Sequence, residues 1–218
     1  MIDPGDGGEY RPTLDASRIA EVIDNPYLPL RVGARWLYEG ESEGEVETIE
    51  IVVTEDRKTV MGISAFVVRD TVSIGGELVE DTYDWFTQDA EGNVWYLGEA
   101  VEDYENGVVV STAGSWEAGV DGALPGIVMP AVRRTGDAYR QEFLVGEAED
   151  MMEIIGTGKS LTVPAGRYDD VLTTRDWSPL EPEVIEEKQY ARGIGKVRED
   201  KVAGGQGFVQ LIAFTPGG

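Results

Sequence analysis

The sequence predicts an all-β fold: an antiparallel meander forming a barrel, half-barrel or curved sheet, with one short N-terminal helix. Three observations carry this. After Pro26 the apolar residues recur with a period of two, not the 3.6 of a helix. Turn residues, mostly Gly, Pro and Asn, separate successive apolar runs. No amphipathic helix lies between the runs, as the crossovers of a parallel sheet would require, so sequence neighbours are expected to pair as hairpins. One domain is expected over residues 13–218, behind a loose, polar, Gly-rich opening over residues 1–12.

The helix is expected in "TLDASRIAEVIDNP", with Asp15 as N-cap, Ile19, Val22 and Ile23 on one face, and Asn25-Pro26 as the stop. "ARWLYEGESEG", "EVETIEIVVTED" and "TVMGISAFVVRDTV" read as successive strands. Gly75-Gly76 then turns the chain into a three-strand meander over residues 77–88, 93–105 and 108–117. Its first loop is placed at Asp89–Gly92, which sets Phe86 opposite Trp95 and Trp85 opposite Tyr96. Its second is Asn106-Gly107, the strongest short hairpin signal, and Gly98 is expected to mark a bulge. Side chains alternate along a strand, so this hairpin carries aromatics on both faces, and the second face must be covered by protein or line a cavity. From Ser111 to Arg140 the chain is Gly-rich without a repeating pattern and is expected to be a functional loop. Strands resume at "YRQEFLVG", "EDMMEIIG", "KSLTVP", "DDVLTTRDW", "EVIEEKQYA", "IGKVRED" and "FVQLIAF". Their turns are placed at Gly146, Gly156–Gly158, Pro164-Ala165-Gly166, Pro179–Pro182 and Gly204-Gly205.

Charge and missing residue types exclude much chemistry. The chain carries 42 acidic against 18 basic residues, a net charge of −24, which repels nucleic-acid phosphates and anionic membranes. A small-molecule ligand or a cation suits that field. No apolar run reaches the roughly 18 residues of a membrane span. Without Cys there is no disulfide, thiolate nucleophile or thiolate metal site, and without His no imidazole base or ligand. Carboxylate, Tyr, Lys and Arg chemistry is what remains. No signal peptide follows Met1, so an export signal is expected to have been removed, with the protein in the extracellular space or cell envelope.

Three constellations are candidate sites. In the first, "GEAED" places Glu147, Glu149 and Asp150 in and beside a turn, and calcium, a hard cation needing several oxygens, is the metal such a cluster would take. No EF-hand loop is present, and no other cofactor is expected. In the second, paired carboxylates such as Asp84 with Glu117 or Glu80 with Glu142 are the acid–base pairs a glycan-processing enzyme would need. The third is aromatic and Met-rich: Tyr83, Trp85, Trp95, Tyr104, Trp116, Met129 and Tyr139, with Met151 and Met152. Core packing competes with a pocket as the reading of this set. In the pocket reading the segment from Trp116 to Met129 is a lid, and Lys188 and Tyr190 lie within reach.

The segments "IDNPYLPLRVGARWLYEG", "ELVEDTYDWFTQDAEGNVWYLGE", "YENGVVVSTAGSWEAGVDGALPGIVMPA", "YRQEFLVGEAEDMMEI", "LTVPAGRYDDVLTT" and "YARGIGKVRED" resemble a family of uncharacterised bacterial all-β proteins that are mostly exported or lipid-anchored. The resemblance runs through nearly the whole chain after residue 22 and implies export and an all-β fold. "VPAGRYDDV" and "YARGIGKV" are similar, more weakly, to half-barrels of the lipoprotein-carrier type, which hold apolar ligands. The leading expectation is therefore an apolar or amphipathic small ligand held in a barrel or curved-sheet pocket. A carboxylate-based enzyme acting on a neutral or glycan substrate, and a calcium-stabilised structural or surface protein, are the alternatives.

Overall fold

The computed structural model describes residues 10–42 and 44–218, among which fifteen strands form one antiparallel sheet. The N-terminal half is a meander of β1 (Arg35–Ser42), β2 (Glu45–Val60), β3 (Ile63–Ile74), β4 (Glu77–Gln88) and β5 (Val94–Glu105). The shorter β6 (Val108–Ser111), β7 (Trp116–Glu117) and β8 (Leu124–Met129) all pair with β5. After β9 (Ala138–Arg140) and β10 (Glu142–Phe143), the second half runs through β11 (Met151–Val163), β12 (Gly166–Ser178), β13 (Glu181–Ala191), β14 (Gly195–Ala203) and β15 (Gly207–Thr215). The two halves join where β1 pairs with β15.

The spatial order is β10-β8-β5-β4-β3-β2-β1-β15-β14-β13-β12-β11-β9. Its two edges, β9 and β10, are consecutive in the chain, with Gln141 alone between them. The ladder does not close into a true barrel, but the sheet curls until one residue spans the seam. Gly126 of β8 allows this contact, since a Cβ there would overlap the Gln141 carbonyl.

Several expectations hold. Asn106-Gly107 turns with φ of 52° and 76°, a positive pair suited to the twist of a two-residue hairpin. A register shift between Asp84 and Phe86 puts the bulge at Gly98. Others need correction. The expected helix is a single 3₁₀ turn, Ala16–Arg18, capped by Asp15, whose carboxylate accepts from Ser17 N at 2.9 Å. Beyond it the backbone pairs with the β4–β5 loop instead: Ala20 N donates to Gln88 O and Ala90 N to Arg18 O. The side-chain carbonyl of Gln88 takes the N–H groups of Asp24 and Asn25, so tertiary partners outbid a local helix. The run 59–72 is broken by a turn at Met61-Gly62, and the expected turn at Gly156–Gly158 is a pair of irregularities inside the long β11. The expected loop from Ser111 to Arg140 contributes β7 and β8 to the wall, with a turn over residues 118–123 between them, so the ends of the expected lid, Trp116 and Met129, are fixed in the sheet.

The hairpin register also differs by one residue. Phe86 faces Tyr96 and Thr87 faces Trp95, while Trp85 sits across from the bulge. The cause is Asp89, whose carboxylate accepts from Asn93 N, Asn93 Nδ2 and Trp95 Nε1 at 2.9, 2.8 and 2.8 Å. That bracket adds a residue to the expected loop. The expected loose opening lies mostly outside the described residues; within its described part Tyr10 is buried and donates from its hydroxyl to Pro125 O at 2.7 Å.

The segment between residues 19 and 34 covers one end of the curled sheet, here called the base. Gly193 N donates to Pro26 O, and Asn25 Nδ2 to Gly92 O, tying that segment to the β13–β14 and β4–β5 turns. Among the described residues no helix is long and apolar enough to cross a membrane.

Candidate functional site

Period-two alternation sends Trp36 and Tyr38 of β1, Val68 and Asp70 of β3, Asp84 and Phe86 of β4, and Lys188 and Tyr190 of β13 to the inner face. There they line a cavity of about 200 Å³. At roughly 30 Å³ per water this is room for about six waters or one small molecule. Leu28 and Leu30 of the base segment, with Trp36, Ile51, Val68, Phe86 and Val128, supply its apolar lining. Asp70, Asp84, Tyr38, Tyr190, Lys188, Lys196 and Gln141 supply its polar side chains, Asp70 standing across from Ile51 and Asp84 across from Val68.

Enclosure sets the electrostatics of those polar groups. Burial, and next the neighbouring Asp84, push the Asp70 carboxyl up to about 8. Burial likewise raises Asp84 to about 6, against the opposing hydrogen bond that Tyr96 Oη donates to its Oδ1 at 2.5 Å. Further along the inner face, burial and then Asp84 raise Glu99 to about 9. Burial and Asp150 raise Glu142 to about 7, although Trp116 Nε1 donates to it at 3.0 Å. The two lysines behave differently. Burial opposes the charge on Lys188, but Asp176, Glu199 and Glu186 together hold its ammonium well above the ordinary value. Its Nζ lies 3.2 Å from Asp176 and 3.8 Å from Glu186. Lys196 Nζ lies 2.7 Å from Glu199; burial opposes that carboxylate, and Lys196 and Lys188 outweigh it, lowering Glu199 to about 2.

The structure places the sequence-derived candidates as follows. Trp85 and Trp95 are on the outer face of the hairpin, 8% and 5% exposed, and neither lines the cavity. Lys58 stacks its ammonium 4.6 Å above Trp85, and Trp95 serves the Asp89 bracket. Tyr83 is exposed on the same outer face, and Tyr104 donates to Glu102 at 2.6 Å in the open. Trp116 is buried edge-on against Tyr96, while Met129, Met151 and Met152 are core. Tyr139 lines a separate open cleft with Glu91, Pro130, Arg134 and Asp137. Lys188 and Tyr190 do line the cavity. Of the carboxylate pairs, Asp84 faces inward while Glu117 pairs with Lys58 at 3.1 Å on the other side of the wall. Glu147, Glu149 and Asp150 diverge: Glu147 is exposed, Glu149 caps Gly146 N at 2.8 Å, and Asp150 turns toward Asp176 and Lys188. Among the described residues no group of three or more acidic side chains is arranged to hold a metal ion.

Sequence reasoning passed over Trp36, Tyr38, Asp70, Phe86 and Glu99. A signal for Asp70 was present: it continues the alternation Phe66, Val68, Asp70, Val72, putting a charge at an inward position of a strand whose other inward residues are apolar.

No family model matches the chain, and no curated protein matches it. Two solved structures do. One is a "putative exported protein with YmcC-like fold" from Bacteroides fragilis, 15% identical, covering 87% of this chain and 99% of its own, with a TM-score of 0.51. The other is a "putative lipoprotein" from Parabacteroides distasonis, also 15% identical, covering 88% of this chain and 99% of its own, with a TM-score of 0.40. The first shares this fold, an antiparallel β meander, at the level of architecture, as the resemblance read from the sequence implied.

Proposed function

We propose that the protein is an exported binding protein that holds one small amphipathic molecule in the cavity of its open barrel. The observation that carries this reading is the mixed lining, in which Leu28, Leu30, Trp36 and Phe86 share one cavity with Asp70, Asp84 and Lys188. A cavity that served packing alone would be dry and apolar, whereas convergent polar groups beside an apolar wall are the usual composition of a ligand site. The volume of about 200 Å³ is below the roughly 300–1,000 Å³ of drug-sized pockets, so the ligand is small. Export is supported by the described character of the Bacteroides fragilis protein that shares the fold.

Titration with 1-hexanol, followed by calorimetry and by chemical-shift changes of the Trp36 indole, tests the reading. Saturable binding is expected in the wild type and loss of it in Val68→Trp, which fills the cavity, with the fold checked by circular dichroism. Equal binding to both proteins, or no binding to a folded wild type at millimolar ligand, would overturn it.

A further inference from the structure

Resting on that reading, we propose that the ligand's polar end is a cation: the cavity selects a small alkyl- or aryl-ammonium, held by Asp70 and Asp84 with its apolar part against Leu28, Leu30 and Phe86.

Most of the hydrogen-bond donors around the cavity are already committed. Trp36 Nε1 donates to Ile194 O at 2.8 Å, and Tyr38 Oη to Lys196 O at 2.9 Å. Lys196 is held by Glu199 at 2.7 Å and Lys188 by Asp176 at 3.2 Å. Gln141 Nε2 is shared between Asp176 Oδ2 at 2.9 Å and Met151 O at 3.3 Å. None of these groups turns to Asp70. Its Oδ1 is sealed from solvent and has no hydrogen-bond partner. Asp84 receives one bond, from Tyr96, and no cation, and it is the charged neighbour that acts most strongly on Asp70. Lys196 acts on Asp70 through space, but its contact is with Glu199 and that of Lys188 with Asp176, so Asp70 Oδ1 is left at the cavity as an acceptor without a donor.

A buried acceptor without a donor costs free energy until something supplies one. Binding of an ammonium favours the ionised forms of Asp70 and Asp84, whereas a ligand carboxylate or phosphate would oppose their ionisation. A neutral hydroxyl would satisfy one acceptor, whereas an ammonium supplies three donors and the missing charge. The net charge of −24 raises the local concentration of such a ligand without choosing where it binds.

Three probes of one length decide the matter: hexylammonium, hexanol and hexanoate, titrated by calorimetry in about 0.5 M salt, where screening confines surface charge effects to a few ångströms. Hexylammonium is expected to bind about tenfold or more tighter than hexanol, as a hydrogen bond to a charged group provides, and hexanoate not measurably. Asp70→Asn is expected to erase the preference, bringing hexylammonium down to the affinity of hexanol in the same variant. Should Asp70→Asn fail to fold, Asp84→Asn serves, and the wild-type probe order stands as a test by itself. Hexanol binding as tightly as hexylammonium, or a preference that disappears in salt, would overturn the cation while leaving the cavity reading intact. Binding of none of the three would overturn both.

Discussion

The wall formed by β3 and β4 solves the same electrostatic problem in two opposite ways on its two faces. Outside, Asp81 receives two parallel hydrogen bonds from Arg69, at 2.8 and 2.7 Å, in a two-pronged ion pair. Inside, on the same two strands, Asp70 and Asp84 stand in each other's field without an ion pair, and Lys196, which acts on Asp70 from a distance, is held by Glu199. The outer carboxylate is compensated by its own chain; the inner pair is left for something else to compensate. Acidic content alone therefore says little about where such a protein binds. What matters is which acids the pleat turns inward without a partner.

The comparison breaks most severely at the point where inner charge is compensated. Lys188→Met would leave Asp176 and Glu186 enclosed without their cation, and a loss of about 3–5 kcal/mol is expected, as for other broken buried pairs. Urea denaturation at neutral pH measures it.

Asp70→Asn is expected to act in the opposite direction. The carboxyl's folded value of about 8 lies above the unfolded value near 3.9, so Asp70 costs nothing at low pH, destabilises progressively between the two values, and levels off above about 8. Facing it are Asp84 and Glu80 of β4, Lys196 and Glu199 of β14, and Tyr38 of β1; Asp84 is raised likewise, and Glu199 is held by Lys196. The variant should gain on the order of 2–4 kcal/mol over wild type at pH 9 and almost nothing at pH 4. A constant difference across that window would show that the inner carboxylate is not the source.

A milder intervention scrambles the faces themselves. Asp89→Ala removes the bracket that sets the hairpin register, and a one-residue slip of β5 would bring Trp95 to the inner face beside Phe86. A cost of about 1–3 kcal/mol is expected, together with broadened Trp indole resonances. The smallest effect belongs to the outer face. Arg69→Ala should cost under about 1 kcal/mol, because Arg69 is 44% exposed and solvent replaces most of what the pair supplies.

Much of the architecture was legible because hairpin signals are local. Asn106-Gly107, Gly75-Gly76 and the bulge at Gly98 each follow from which residues tolerate positive φ. The N-terminal helix was misread because the competing partners, the Gln88 side chain and the β4–β5 loop, lie some 64 residues away. The register slipped for a related reason: Asp89 looked like an ordinary turn residue, and its three simultaneous donors show only in three dimensions. At the site, Asp84, Lys188 and Tyr190 could be picked out as candidates, but the tryptophans drew attention to the wrong face. The expected register set Trp85 and Trp95 on opposite faces, and the one residue that Asp89 adds puts both on the outer face and Phe86 with Tyr96 on the inner.

The open ladder of strands also has a kinetic consequence. Among the described strands every neighbouring pair except one joins segments close in sequence; β1 and β15 bring residues 35–42 to residues 207–215. Local pairs form at little loop-closure cost, whereas this junction must wait for two half-sheets to meet. Joining of the halves is then a single late event, and Leu211→Ala, which weakens the β15 side of the junction opposite Tyr38, should speed unfolding while leaving the refolding rate nearly unchanged. Stopped-flow chevrons read both arms, and a refolding rate that fell in proportion to the lost stability would place the junction early instead.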